Sequence, residues 1–246
     1  MTGIFDQPAT AWVSLEGPDA ADFLQRLSTV NIRALEVGQG APGCFLNAQG
    51  KIQASFWVWR YTPESFGFEV ERGEQDAWKK ALTGFIELYT FAEKQVLTDV
   101  PEIECAWIFG SPSTLAALHT EALPAGVRIC HHGDKDFGAP WVSAWGTQDT
   151  LRAWLPSLPK LTATQLDHAR IHHLTPRVGK EITTDSSPVE VGLRHTVADN
   201  KGCYPGQEVI EKVIALGSPA KRLVRVSYQG DAPTAPAPLK TTGENG

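Results

Sequence analysis

The sequence predicts an α+β protein made of antiparallel strands and amphipathic helices, and three patterns carry that reading. Ile52, Ala54, Phe56 and Val58 alternate with Gln53, Ser55, Trp57 and Trp59, the two-residue period of a strand. Trp78, Leu82, Phe85, Ile86 and Tyr89 fall at i, i+4, i+7, i+8 and i+11, one apolar stripe of a helix. Runs with strand character are followed by runs with helix character, and the short links between them suit antiparallel neighbours.

The elements follow in order. Trp12–Leu15 reads as a strand, Gly17-Pro18-Asp19 as a turn, and Ala20–Leu27 as an apolar-faced helix. Trp107–Phe109, Gly110-Ser111-Pro112 and Thr114–Leu118 repeat that plan, with Pro in the first helical turn, where its missing N–H costs nothing. The two segments suggest a weak internal duplication. Between them, Gly43–Leu46 enters an Asn47-Ala48-Gln49-Gly50 turn that returns into the alternating strand. Phe66–Val70 is a further strand after the turn at Thr62–Ser65, then come a helix over 74–89 and a strand over Gln95–Thr98. Strands over Val127–Cys130 and Trp141–Trp145 precede helices over Gln148–Leu155 and Thr164–His173, and Leu223–Tyr228 reads as a last strand. The stretch from Gln229 to Gly246 holds Pro233, Pro236 and Pro238 and no aromatic residue, so it reads as a loop or flexible tail.

Composition narrows the function. With 246 residues, 42% hydrophobic and 20% charged, the chain can bury a core and is neither disordered nor collagenous. A formal charge of −6 removes the broad basic footprint of a nucleic-acid binder. No apolar run reaches the ~20 residues that span a bilayer. The start of the chain lacks the basic and apolar regions of a secretory signal. Cys44, Cys105, Cys130 and Cys203 are scattered without a CxxC, which reads as reduced thiols in the cytoplasm with no metal site. His168 and His172 are spaced i, i+4 but lack the acid of an HExxH pattern, so they read as structural.

The most unusual stretch is Lys201-Gly202-Cys203-Tyr204-Pro205-Gly206-Gln207-Glu208. Two glycines and a proline turn the backbone tightly and expose N–H groups beside a thiol, a phenol and an amide. Lys201 is placed to favour a thiolate at Cys203, and Gln207 with Glu208 offers donor and acceptor groups for the edge of a planar heterocycle. The plainer reading of the same residues is an ornate loop with a packed cysteine. Lys212, four residues past Glu208, is either a surface lysine or a point-charge partner for a ligand carboxylate.

KGCYPGQE resembles the signature of the YgfZ-like folate-binding proteins, relatives of the glycine-cleavage T-protein (GcvT), an aminomethyltransferase. The likeness extends to Gly17–Gln25, Leu46–Lys51, Arg170-Ile171, Pro188–Glu190, Leu193 and Gly217–Val224. It implies GcvT-like lobes of antiparallel sheet and helix around a central folate cavity, with the C-terminal barrel truncated or incomplete. On that reading residues 1–45 with 105–215 form one lobe, 46–104 a ferredoxin-like second lobe, and 216–246 a barrel remnant and tail. The resemblance implies a tetrahydrofolate-dependent factor in iron–sulfur cluster assembly or repair, with iron–sulfur client enzymes or assembly proteins as partners and Cys203 as the functional thiol. Lys201, Gly202, Tyr204, Gly206, Gln207, Glu208, Arg170 and Lys212 are the implied folate-binding residues. The transferases place an Asp just after the hairpin glycine, where this chain has Ala54 and Ser55, and a Glu where it has His172. Both departures argue against transferase chemistry, although a transferase and a folate-free scaffold stand as alternatives.

Overall fold

The computed structural model describes residues 1–6, 8–118, 123–133, 136–217 and 219–227. Two antiparallel sheets lie face to face. The first pairs β1 (Gly3–Asp6) with β7 (Glu104–Phe109), β9 (Trp141–Gly146) and β8 (Arg128–His132), in the order β1-β7-β9-β8. The second joins β2 (Thr10–Glu16), β3 (Gly40–Leu46), β4 (Ile52–Thr62), β5 (Ser65–Glu71) and β6 (Val96–Asp99), in the order β3-β4-β5-β2-β6. The expected antiparallel α+β architecture is what the chain adopts.

Strand alternation here separates two cores, because both faces of each sheet are covered. Ala54, Phe56 and Val58 of β4 and Phe66, Phe68 and Val70 of β5 pack on Phe23 and Leu24 of α1 (Ala20–Leu27) and on Leu82, Phe85 and Ile86 of α2 (Ala77–Tyr89). The opposite face presents Trp12, Trp57, Trp59 and Tyr61 to Cys105, Trp107, Phe109, Trp141 and Trp145 of the four-stranded sheet. That sheet's outer face, Ala106, Ile108, Val142 and Ala144, is covered by Leu115 of α3 (Pro112–Ala117) and Leu151 of α4 (Gln148–Trp154). The layers therefore run helix, sheet, sheet, helix. Each fully buried large apolar side chain contributes about 1.5–3 kcal/mol at most, so the aromatic layer between the sheets is a principal source of stability.

The sheets divide the chain differently from the expected lobe boundary at residue 45. β2 pairs with β5 along its whole length, from Thr10↔Glu71 to Glu16↔Ser65, and β3 is the hairpin partner of β4. Residues 10–46 thus belong with β4–β6. The first of the two matching strand–helix segments serves the five-stranded sheet and the second serves the other.

After α5 (Ala163–His172) the chain wraps the end of the β3–β4 hairpin. Ile182, Val191, Leu193, Val197 and Tyr204 cover Cys44, Leu46 and Ile52 there. A helix absent from the sequence reading, α6 (Gln207–Ala215), then adds Ile210 to the same cluster. Over 222–227 no strand ladder forms: Leu223 N–H reaches Glu190 O and Arg225 reaches His172, and neither contact makes a strand pair. The expected strand over 223–228 is corrected to that extent. Among the described residues there is no closed barrel, and the tail from Gln229 lies outside them.

Gly206, the residue before α6, has φ +78°, and a Cβ there would stand 2.4 Å from Asn47 O and 2.9 Å from Gly50 Cα. The start of α6 rests directly on the hairpin turn. Gly206→Ala is expected to cost more than ~2 kcal/mol, the left-handed penalty plus a backbone clash. Gly38→Ala, at φ +89° in open space, should cost only the conformational part. Urea unfolding of the two variants measures the difference.

Candidate functional site

A cavity of about 120 Å³ opens between the two sheets and the 170–196 segment. Trp57, Trp107, Phe137 and Trp141 supply its flat apolar walls, and Ser55, Glu69, Glu71, Arg170, Arg177 and Thr196 its polar groups. Strand pairing explains the carboxylates. β4 and β5 are antiparallel with Trp57 opposite Glu69, and alternation sends Glu69 and Glu71 to the face opposite Phe68 and Val70. Arg177 Nε donates to Glu71 Oε2 at 3.0 Å. Burial pushes the Glu71 carboxyl above the usual carboxylate range, and Arg177 offsets this only in part.

Glu69 is 5% exposed and sits in a polar cluster inside the aromatic layer. Ser143 Oγ donates to Glu69 Oε2 at 2.6 Å, Trp145 Nε1 lies 3.4 Å from that oxygen, and His132 Nε2 lies 3.3 Å from it. His132 Nε2 is also 2.9 Å from Ser143 Oγ. Since the serine proton goes to Glu69, Nε2 is the protonated nitrogen facing the serine. The imidazole stacks on Trp141 at 3.7 Å and 4° and meets Trp57 and Trp59 edge-on. His132 Nδ1 and the indole nitrogens of Trp107 and Trp141 are buried without a hydrogen-bond partner.

Of the residues expected to bind folate, Arg170 lines this cavity. Its guanidinium is committed, with Nε on Asp167 at 2.5 Å and Nη1 on both oxygens of Glu181 at 3.1 Å. These carboxylates outweigh burial and hold the guanidinium pKa above its ordinary value.

Lys201, Gly202, Cys203, Tyr204, Gly206, Gln207, Glu208 and Lys212 form a separate group around the hairpin turn and do not line the cavity. Lys201 is buried. Its Nζ donates to Gln25 O at 2.6 Å and Ser28 O at 2.5 Å, closing the C-terminus of α1, and sits 4.8 Å from the Tyr204 ring centroid. Its donors are thus spent on backbone carbonyls and a ring face. Gly202 takes φ +90° in open space, and Tyr204 is buried, which pushes its phenol up to about 12. Gln207 Nε2 donates to Glu211 within α6, while Glu208 and Lys212 are exposed on that helix.

Cys203 is exposed, whereas Cys44, Cys105 and Cys130 are buried. Burial pushes the Cys44 thiol up to about 11 and raises those of Cys105 and Cys130 as well. His172 accepts from Arg225 outside the cavity. Among the described residues no group of three or more His, Cys, Asp or Glu is placed to hold a metal ion, and no helix is long and apolar enough to cross a membrane.

Cavity and loop are joined through one buried threonine. Thr196, on the cavity, accepts at its backbone oxygen from Thr29 Oγ1 at 2.6 Å. The same hydroxyl accepts from Cys44 N–H at 2.9 Å, and Thr29 O accepts from Ala198 N–H at 3.0 Å. The chain from the cavity to Lys201 is therefore pinned to the end of α1 at both ends.

The sequence reading missed Glu69, Glu71, His132 and Ser143 as site residues. The available signal was the alternation in Phe66-Gly67-Phe68-Glu69-Val70-Glu71, which groups the two acids on one face.

Residues 1–103 match the GCVT N-terminal domain. A protein of Chaetomium globosum named as a mitochondrial iron-sulfur cluster assembly factor IBA57 homolog is 25% identical over 90% of this chain and 55% of its own length. Its namesake in Neurospora crassa is 28% identical over 92% of this chain and 54% of its own. The aminomethyltransferase of Herpetosiphon aurantiacus is 24% identical over 93% of this chain and 67% of its own. The crystal structure of glycine cleavage system aminomethyltransferase T from Bartonella henselae matches with a TM-score of 0.74 at 20% identity, covering 88% of this chain and 64% of that one. The chain spans about half the length of the two fungal relatives. These matches support the GcvT-like superfamily, and the fold is similar to that of the aminomethyltransferase.

Two outcomes follow from the loop geometry. Native-state alkylation followed by peptide mapping should label Cys203 well before the other three cysteines. Burial also pushes the Lys201 amine down to about 8 from 10.5. Between those values the unfolded chain binds more protons, so the contribution of Lys201 to stability grows as pH rises from about 8 to about 10.5. Urea unfolding should find Lys201→Met further below wild type at about pH 10 than at about pH 7.5.

Proposed function

We propose that this chain is a tetrahydrofolate-binding accessory factor of the YgfZ-like kind, serving iron–sulfur cluster assembly or repair in client enzymes, with Cys203 as its working thiol. The observation that carries the folate part is the cavity: flat indole walls and a largely buried glutamate in one cleft between the sheets. A pterin ring needs an apolar slot with a few convergent polar anchors, and these residues fit it. At about 120 Å³ the space is smaller than the ~300–1,000 Å³ of sites that enclose whole drug-sized ligands. It would hold the ring, with the glutamyl tail leaving through the opening. When bound, the folate would supply one-carbon chemistry at its reduced ring, and the role of this chain is to hold that ring. The iron–sulfur part is supported by the two fungal relatives, and the cysteine part by the contrast between one exposed thiol and three buried ones. A single thiolate cannot hold a cluster that normally takes four ligands, which favours a transient redox or transfer role for Cys203.

A second reading, a folate-dependent aminomethyl transferase, has one observation in its favour. The cavity does contain carboxylates, Glu69 and Glu71, although they come from β5 and the hairpin positions Ala54 and Ser55 carry none. Ala54 faces the α1–α2 core, and Ser55 lines the cavity.

Anaerobic titration with tetrahydrofolate should give saturable binding. At about 100 times the dissociation constant it should stabilise the fold by about 2.7 kcal/mol, a rise in melting temperature of roughly 5–10 °C. No binding and no thermal shift would favour the folate-free scaffold. Cys203→Ala should fold within about 0.5 kcal/mol of wild type, as an exposed substitution does, and still bind folate. It should fail to restore iron–sulfur enzyme activity in cells lacking the factor. Full complementation by that variant would remove the cysteine role. Tetrahydrofolate-dependent release of ammonia from the aminomethylated carrier protein would instead establish the transferase.

A further inference from the structure

Glu69 has a divided carboxylate. All three of its protein contacts converge on Oε2: Ser143 Oγ at 2.6 Å, His132 Nε2 at 3.3 Å and Trp145 Nε1 at 3.4 Å. Among the described residues Oε1 has no partner, although Glu69 is 5% exposed and lines the cavity. Glu69 borders the open cavity, and a carboxylate oxygen that a ligand encloses without offering a donor is costly, so this oxygen is an acceptor awaiting one. The neighbouring charges do not supply it. Arg177 is engaged with Glu71, and Arg170 with Asp167 and Glu181.

The carboxylate is also held in place. Ser143 gives its only proton to Glu69 and accepts from His132 and Trp145, at 2.9 and 3.2 Å. His132 is fixed by its stack on Trp141 and its edge contacts with Trp57 and Trp59. Trp57 and Trp141 are themselves cavity walls, so rings that line the ligand space also fix the side chains that aim Glu69.

We infer that Glu69 is the specificity-determining residue of this cavity, its open Oε1 taking the N–H edge of a planar 2-aminopyrimidinone ring, with Ser143, Trp145 and His132 as positioning residues acting through Oε2. With Oε2 taken, the exocyclic amine and the adjacent ring N–H of such a ring can both donate to Oε1, as charge-assisted bonds. A ring with an oxo group in place of the amine turns an acceptor toward it. The inference rests on the proposed folate reading and specifies which residue reads the ring.

Pterin and lumazine differ at this edge, amino against oxo, and serve as probes by fluorescence titration. Wild type should bind pterin at least tenfold more tightly than lumazine, the size of a charge-assisted hydrogen bond. Glu69→Gln should erase that preference while keeping the near-ultraviolet circular dichroism of the tryptophan layer. Ser143→Ala should weaken pterin several-fold and leave lumazine unchanged, a ratio that a purely structural role would not move. Equal affinity of wild type for the two probes overturns the inference without need of any variant, as does a preference that survives in Glu69→Gln. If tetrahydrofolate binds while pterin and lumazine are indistinguishable, this inference alone falls. If neither tetrahydrofolate nor pterin binds, the folate reading falls with it.

Discussion

A carboxylate buried between two sheets has to find its hydrogen bonds where it lies, and the answer for Glu69 sets how this molecule is put together. The acid comes from β5 of one sheet; Ser143 and Trp145 come from β9 of the other and His132 from β8. The docking of sheet on sheet is what brings these groups within reach. The aromatic side chains around them fill the same layer on the Oε2 side of the acid. Low polarity strengthens every contact inside the layer and raises the penalty for any that is missing. The cavity lies where the layer is incomplete, and the glutamate at its edge has one carboxylate oxygen that the layer leaves without a donor.

Local pattern carried much of the fold. The alternation over Ile52–Trp59, the helical stripe from Trp78 to Tyr89 and the hairpin turn at Asn47–Gly50 all correspond to elements of the structure. What local pattern could not carry was the second covered face. Trp57 and Trp59 alternate with the core-facing residues in any strand, and only a second sheet, paired over long sequence separations, makes that face dry. For the same reason Glu69 was legible as a strand residue and not as a buried one. The sheets depart from the expected lobe boundary because β2 crosses to pair with β5, from Thr10↔Glu71 to Glu16↔Ser65, a long-range contact that leaves no periodic trace. Val209, Ile210, Val213 and Ile214 do have helical spacing, but the glycine-rich stretch before them drew the reading toward a loop.

The Lys201–Glu208 loop illustrates a different limit. Its composition marked it as unusual, and the structure gives much of that composition a structural task. Lys201 closes α1, Gly206 lets α6 touch the hairpin turn, and Tyr204 fills the apolar cluster beneath. Cys203 is left outside this framework, exposed. The loop and the cavity are distinct places linked by the pinned segment through Thr196 and Ala198, so a ligand against Thr196 would bear on a stretch of chain that ends at the thiol loop. On the proposed function, ring binding and thiol chemistry would be separate steps on one scaffold.

The account stands most directly on where the ring goes. An anaerobic crystal structure of the full chain with tetrahydrofolate would decide it. The ring should lie between the sheets against Trp57 and Trp141, with its amino edge within hydrogen-bond distance of Glu69 Oε1 and its tail leading out past the 170–178 segment. A ring found instead against the Lys201–Glu208 loop, with the space beside Glu69 filled by water, would contradict the account.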